Sequence, residues 1–282
     1  MDILYHYTNA VGLQGILESR CLRATDIRFL NDPSEWRHLF TIMSEGAAPN
    51  SSALSTLLRN IPDRLLNETI RCYVASFCAN GDLLSQWRGY AGGVSGFAIG
   101  FHQEQLETHL LSVLDGEDPW RLTKVKYEQS AQRAEIGKTM LEALQRTLQA
   151  LSAAQPDQNP VELLSKGAAP AFVLGLARIA QEAAINKPLG YKEESEWRVV
   201  RTVRFDSNAL PELRAGRASL IPYMNFPLEG SDGRPTVAEI KIGPTPEPSL
   251  AEHSVRMLLR RVGFEAEEIP ITHSSVSFRE TL

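Results

Sequence analysis

Apolar and polar positions alternate at the start of the chain. Leu4, His6 and Thr8 fall on one side, and Ile3, Tyr5 and Tyr7 on the other, which is the two-residue period of a strand. Asn9 then supplies a cap, and Val11, Leu13, Ile16 and Leu17 return at helical spacing. Beyond Cys21-Leu22-Arg23-Ala24 a polar stretch runs to Asn31-Asp32-Pro33. Proline restricts the residue before it and suits a first helical position, which predicts a helix over Ser34 to Met43. Gly46 to Ser55 reads as a loop and Leu54 to Asn60 as a short helix. Arg71 to Cys78, Phe97 to Phe101 and, more weakly, Val125 to Tyr127 read as strands.

The pattern changes in the middle of the chain. Ser130 to Leu151 and Val161 to Asn186 are rich in Ala, Leu, Gln and Glu at a 3.6-residue period, with a break at Gln155-Pro156-Asp157-Gln158-Asn159-Pro160. This predicts a helical hairpin over about 130–186, inserted between strands. Strand signals resume at Glu196 to Arg204, Ser219 to Pro222 and Val237 to Ile242. A helix over Ser249 to Val262 and a short strand over Glu268 to Ile271 complete the pattern. Strands mixed irregularly with helices favour an α+β fold, read here as one domain over 1–282.

Composition narrows the classes. The 282 residues are 43% hydrophobic and 22% charged, enough to bury a sizeable core, and the net charge of −5 argues against a dedicated nucleic-acid binder. Three cysteines without paired or metal-type spacing suggest a reducing compartment. No cationic leader precedes a long apolar run, and no segment approaches the roughly 20 apolar residues of a membrane span, so a cytoplasmic protein with no membrane partner is expected.

Four groups carry candidate chemistry. His6, beside Tyr7 and Thr8, is either a hydrogen-bonded structural residue or part of an imidazole, phenol and hydroxyl set suited to ribose. In Lys192-Glu193-Glu194-Ser195-Glu196-Trp197-Arg198, strand parity sends Trp197, Val199 and Val203 to a core, and Glu196, Arg198 and Thr202 to the other face. Glu194 lies on the side of Glu196. Two neighbouring carboxylates raise each other's pKa, an effect Arg198 opposes; a solvated acidic turn is the alternative. Ser85 to Tyr90 offers flat rings from Trp87 and Tyr90 and a phosphate partner in Arg88, or else an aromatic packing contact. Asn31-Asp32-Pro33 with Glu35 either caps a helix or orders a pocket wall.

Other motifs fail. The glycines from Gly89 to Gly96 precede a strand rather than a helix, so no helix N-terminus follows to hold a phosphate. Glu35 and His38 have the i, i+3 spacing of a metal pair, but no second such pair accompanies them, and no metal is expected. The chain has no Gly-x-Ser-x-Gly elbow.

The ordered set Leu4-Tyr5-His6-Tyr7-Thr8, Asn31-Asp32-Pro33-x-Glu35, Ser76-Phe77, Ser85-x-Trp87-x-x-Tyr90, Gly93 to Phe101, Glu194-x-Glu196-Trp197-Arg198, Ile240-x-Ile242-Gly243-Pro244 and Ser274 to Arg279 resembles a bacterial family known as domain of unknown function 2971, DUF2971. A looser resemblance is to ADP-ribosyltransferases, which also open with a His-bearing strand, a Thr and a Leu-x-x-Ile-Leu helix. It implies a split β-sheet core with peripheral helices, into which this chain inserts the hairpin read above. It also implies NAD as substrate and mono-ADP-ribosyl transfer to a nucleic acid or protein. A toxin or phage-defence role, with an inhibitor or antitoxin partner, would be natural for such an activity. Carried onto this chain, the resemblance makes His6 a ribose clamp, Tyr90 or Trp87 the nicotinamide partner and Glu196 the catalytic carboxylate. Glu194 would act on the acceptor. Tyr7, Thr8, Asn31, Asp32 and Ser76 would line the NAD site, and Arg28 or Arg88 would meet the pyrophosphate. A nucleotide-binding or interaction module without turnover is the alternative.

Overall fold

In the computed structural model, residues 2–30, 71–90, 96–112, 119–127, 180–182, 184–203, 207–216, 218–229 and 236–276 are described. The opening pattern folds as read: strand β1 (Ile3–Thr8), then helix α1 (Ala10–Ser19), with Asn9 accepting from the Gly12 N–H at 2.8 Å. Strand β2 (Cys21–Asp26) follows, where the sequence suggested only a lead into a polar stretch. Its residues Leu22, Ala24, Thr25 and Asp26 are buried on both faces, which hides the two-residue period.

Next come strand β3 (Cys72–Cys78), helix α2 (Leu84–Tyr90), strand β4 (Phe97–His102) and helix α3 (Gln103–Ser112). Strand β5 is Arg121–Lys124, just before the expected Val125 to Tyr127; Lys126 instead forms an isolated bridge to Asn186. Strands β6 (Glu196–Thr202), β7 (Glu212–Ala215), β8 (Leu220–Pro227) and β9 (Val237–Ile242) precede helix α4 (Pro248–Arg261). The last strand, β10, is Ile271–His273, three residues later than the pattern suggested, because 266–268 form a turn.

The expected helices at 34–43 and 54–60 lie outside the described residues, as does most of the 130–186 hairpin. Its end is helical at 180–182 and 184–185. The chain leaves and re-enters this region at one place. The Lys126 N–H donates to the Ile185 carbonyl at 2.8 Å, and the Lys187 N–H to the Lys126 carbonyl at 3.1 Å.

The architecture is α+β, with ten strands in one open, mostly antiparallel sheet among the described residues. The sheet forks at β3. One edge of β3 pairs along its whole length with β6, from Cys72↔Thr202 to Cys78↔Glu196. The other edge is shared: β1 pairs only at Tyr5↔Cys78, and β2 only at Thr25↔Val74 and Asp26↔Tyr73. From there β1 runs out to β4, β9 and β10, while β2 runs out to β8 and β7. Between the branches, the edge of β3 at 75–77 has no strand beside it among the described residues.

The main core fills one face. Leu4, Tyr73, Phe77, Ile99, Phe101, Val199 and Ile240 from the sheet meet Leu13 and Leu17 of α1, Leu106 of α3 and Leu259 of α4. A smaller cluster of Tyr7, Cys78, Trp87 and Ala98 lies under α2 on the opposite face. As strand parity predicted, Val199 and Val203 enter the main core with Trp197 packed against it, and Glu196 and Arg198 face the other way.

Candidate functional site: a cavity in the fork of the sheet

Among the described residues the fork leaves backbone groups of β3 without a ladder partner, and a side chain satisfies one of them. His6 Nδ1 lies 2.9 Å from the Ser76 carbonyl oxygen. A carbonyl only accepts, so Nδ1 carries the proton and Nε2 keeps its lone pair. Burial lowers the imidazole pKa below its ordinary 6.5, outweighing the opposing hydrogen bond to Ser76, so the ring is neutral at pH 7. His6 therefore offers a hydrogen-bond acceptor to whatever enters the fork.

That space is a cavity of about 620 Å³. His6, Tyr7 and Thr8 of β1 form one lip, Arg23 and Thr25 of β2 the other, and Val74 to Ser76 of β3 lie between them. Helix α1 contributes Gly12, Gly15, Ile16 and Ser19, spaced so that they share one face. The remaining wall includes Tyr90, Lys187, Tyr191, Glu194, Glu196, Arg198 and Arg214. A recess of about 50 Å³ shares His6, Tyr7, Ser76, Tyr90, Glu194 and Glu196 with the cavity and adds Tyr5, Phe77, Cys78 and Gln86.

His6 and Glu196 approach from opposite faces of the sheet. His6 has the parity of Leu4 and pairs with Ile99, on the main-core face, whereas Glu196 pairs with Cys78, on the α2 face. A continuous sheet would separate them. Because β1 and β2 diverge, both side chains reach one volume.

The acidic pair sits around a lysine that the sequence reading missed. Lys187, only 4% exposed, places Nζ 2.6 Å from Glu194 Oε2 and 3.1 Å from Glu196 Oε2, with the Tyr191 ring centroid 4.6 Å away. Arg198, 1% exposed, donates from Nε to Glu196 Oε1 at 2.7 Å and from Nη2 to Oε2 at 3.1 Å, and its Nη1 donates to the Ala184 carbonyl at 2.8 Å. Desolvation raises the Glu196 pKa, but Arg198, Lys187 and a hydrogen bond from the Ser76 hydroxyl outweigh it, and the net direction is downward. Glu196 is thus a buried, ionised carboxylate whose roughly four acceptor positions are filled from within the protein.

Local backbone geometry sets this arrangement. Residues 189–194 form a 3₁₀ helix, and Ser195 then turns left-handed at φ 42° and ψ 49° before β6 begins. A left-handed non-glycine residue is strained, and this turn lets Glu194 and Glu196 both reach Lys187. The Glu196 N–H is held by the Tyr127 hydroxyl at 2.9 Å. No spacing rule connects Lys187 to Glu196, so the only available signal was the polar run around them.

The other anticipated residues divide. Tyr90 is 40% exposed and lines both spaces. Trp87 lines neither: it is 2% exposed, stacks edge-on against Tyr7 at 4.6 Å and donates from Nε1 to Asp82 at 2.9 Å. The Tyr7 hydroxyl already donates to the Asn80 carbonyl at 2.7 Å and accepts from the Leu83 N–H at 3.0 Å. Arg28 is folded back on Asp26, at 2.9 Å from Nε and 2.6 Å from Nη2, and Arg88 is exposed; neither lines the cavity. The cavity arginines are Arg23, Arg198 and Arg214. Asn31 and Asp32 lie outside the described residues. Burial first, and then the nearby Glu194 and Glu196, push the Cys78 thiol up to about 11, far from thiolate chemistry at neutral pH.

Residues 86–199 match the family described as "Protein of unknown function (DUF2971)". This segment belongs to DUF2971. It runs from the helix bearing Tyr90 to the strand bearing Glu196 and Arg198, and it includes Lys187 and Glu194, so the acidic side of the cavity is family sequence. No curated protein and no solved structure matches the chain. Among the described residues no helix is long and apolar enough to cross a membrane.

Proposed function

We propose that the cavity binds NAD and that this DUF2971 protein is a mono-ADP-ribosyltransferase. One observation carries the reading: His6, Tyr90 and Glu196, far apart in sequence and on different elements, line one cavity in a forked sheet. Its volume of about 620 Å³ lies within the ~300–1,000 Å³ typical of small-molecule sites.

The chemistry follows from the side chains. His6 Nε2 accepts from a ribose hydroxyl, with the Thr8 hydroxyl beside it. Tyr90 flanks the nicotinamide at the mouth of the small recess. The bond between the ribose anomeric carbon and nicotinamide breaks, and nicotinamide leaves with the electron pair. Positive charge grows on the ribose, and the Glu196 carboxylate stabilises it. An acceptor nucleophile, on a nucleic acid or a protein, then bonds to that carbon and passes its proton to Glu194. Since the acceptor positions of Glu196 are filled, substrate must displace Ser76 or Lys187 to reach it. An unregulated activity of this kind suits a toxin or defence effector controlled by an inhibitor partner.

The same occupancy of Glu196 favours a second reading, a nucleotide-binding module without turnover. It predicts thermal stabilisation by NAD without release of nicotinamide.

The test is incubation with NAD labelled in its ADP-ribose portion, together with oligonucleotides or lysate protein, reading both nicotinamide release and label transfer. Wild type is expected to do both, with Glu194→Gln and Glu196→Gln reduced by about 10²-fold or more. Equal rates in wild type and a folded Glu196→Gln remove Glu196 from the mechanism. Ligand stabilisation without release by wild type selects the second reading.

A further inference from the structure

The cavity has a second charged end that neither the acidic cluster nor His6 explains. In the β2–β8–β7 branch, register puts Arg23 opposite Asn225, Thr25 opposite Tyr223, Glu212 opposite Tyr223 and Arg214 opposite Ile221. Directly paired residues share a face, so both arginines stand on one face, on strands flanking β8 from either side. Both line the cavity.

Their positions are built. The Arg23 guanidinium lies over the Tyr223 ring, 5.1 Å from its centroid, and Arg214 Nη2 donates to Thr25 Oγ1 at 3.4 Å, reaching across β8. The carboxylate on this face, Glu212, accepts from Tyr223 at 2.6 Å and from Asn225 at 2.6 Å. A ring beneath one guanidinium and a hydroxyl beside the other hold two planar donor forks in the lining of one cavity, and such forks suit phosphate oxygens.

We propose that Arg23 and Arg214 form a phosphate subsite at this end of the cavity, taking the diphosphate of a nucleotide whose sugar lies toward His6. The proposal rests on the nucleotide reading above but does not require turnover. Polarity supports it: neutral His6 and the self-contained acidic cluster occupy one end, the two arginines the other. A ligand with a neutral sugar and an anionic diphosphate matches that order.

Calorimetry of wild type, Arg23→Gln, Arg214→Gln and the double variant with ADP, adenosine and a short single-stranded oligonucleotide tests it. Wild type is expected to prefer ADP to adenosine by about tenfold or more, the scale of charge-assisted hydrogen bonds. The double variant loses that preference while keeping the adenosine affinity. Arg23 is exposed and Arg214 half-buried, so the variants are expected to fold, as checked by thermal melts. A preference unchanged in the double variant, or no binding of ADP by wild type, overturns the subsite. Arginine-dependent oligonucleotide binding without an ADP preference overturns it in favour of a polynucleotide surface. Loss of the ADP preference on mutation, in a protein that never releases nicotinamide from NAD, keeps the subsite and removes the transferase reading alone.

Discussion

Helix α1 offers a way to close the cavity without touching a charge. Gly15 lines it, and a Cβ built there would meet nothing within 4 Å. Gly15→Phe adds a ring to open space, and replacing a mid-helix glycine by phenylalanine gains about 0.5 kcal/mol of helix propensity. The melting temperature should change by no more than about 2 °C. Ligand binding should be lost. At a ligand concentration of 100 times Kd, wild type gains about 2.7 kcal/mol, and Gly15→Phe should gain none. Gly12, one turn earlier, behaves oppositely, because a Cβ there would overlap Thr8 Oγ1 and approach Thr8 Cβ at 3.3 Å. Gly12→Ala should therefore destabilise by about 1–3 kcal/mol despite its better propensity, with partial recovery in the Thr8→Ala double variant. The assay is thermal melting with and without NAD or ADP. A Gly15→Phe protein stabilised by ligand as fully as wild type would refute the assignment of the cavity as the binding site.

Three further outcomes follow from the electrostatics and anchoring. Glu196→Gln leaves Arg198 and Lys187 buried without their shared carboxylate, and urea unfolding should show a loss of about 3–5 kcal/mol; a loss below 1 kcal/mol would contradict the ion-pair assignment. Because the folded Glu196 pKa lies below its ordinary 4.5, its contribution is present above pH 4.5 and lost as pH falls through the folded value, so the variant should show a shallower acid limb. His6 is also lowered, so its contribution is complete above pH 6.5 and declines as pH falls toward its folded value. His6→Gln should flatten stability between pH 7 and 5, and an unchanged slope would rule out a buried neutral ring. Asp82 accepts from Trp87 Nε1, the Ser274 hydroxyl, and the Ser275 N–H and hydroxyl at 2.7 and 2.8 Å, tying 274–275 to α2. Asp82→Ala should cost about 1–3 kcal/mol and speed proteolysis near residue 275; equal cleavage rates would show that the anchor does not hold that segment.

Legibility differed by element. The residue pattern found β1, α1, β6, β9 and α4 by periodicity, and β3 and β4 as apolar runs buried on both faces. It missed β2, buried on both faces, and β7, whose four residues are mostly exposed. It passed over α2, a seven-residue helix that buries only Gln86 and Trp87, the latter against Tyr7 of the distant strand β1.

By itself the sequence determined the α+β class, the DUF2971 resemblance, and the facing of Glu196 and Arg198 away from Trp197 and Val199, since parity along a strand is a local property. It also picked out His6, Tyr90, Glu194 and Glu196. Only the tertiary structure decided that these share a cavity. Parity places His6 and Glu196 on opposite faces, and the fork, where β1 and β2 each hold one end of the same β3 edge, joins those faces. It also decided that Lys187 sits between the two carboxylates and that Arg23 and Arg214, not Arg28 and Arg88, enter the cavity. Those placements depend on which strands pair and where pairing stops, and no residue spacing encodes that.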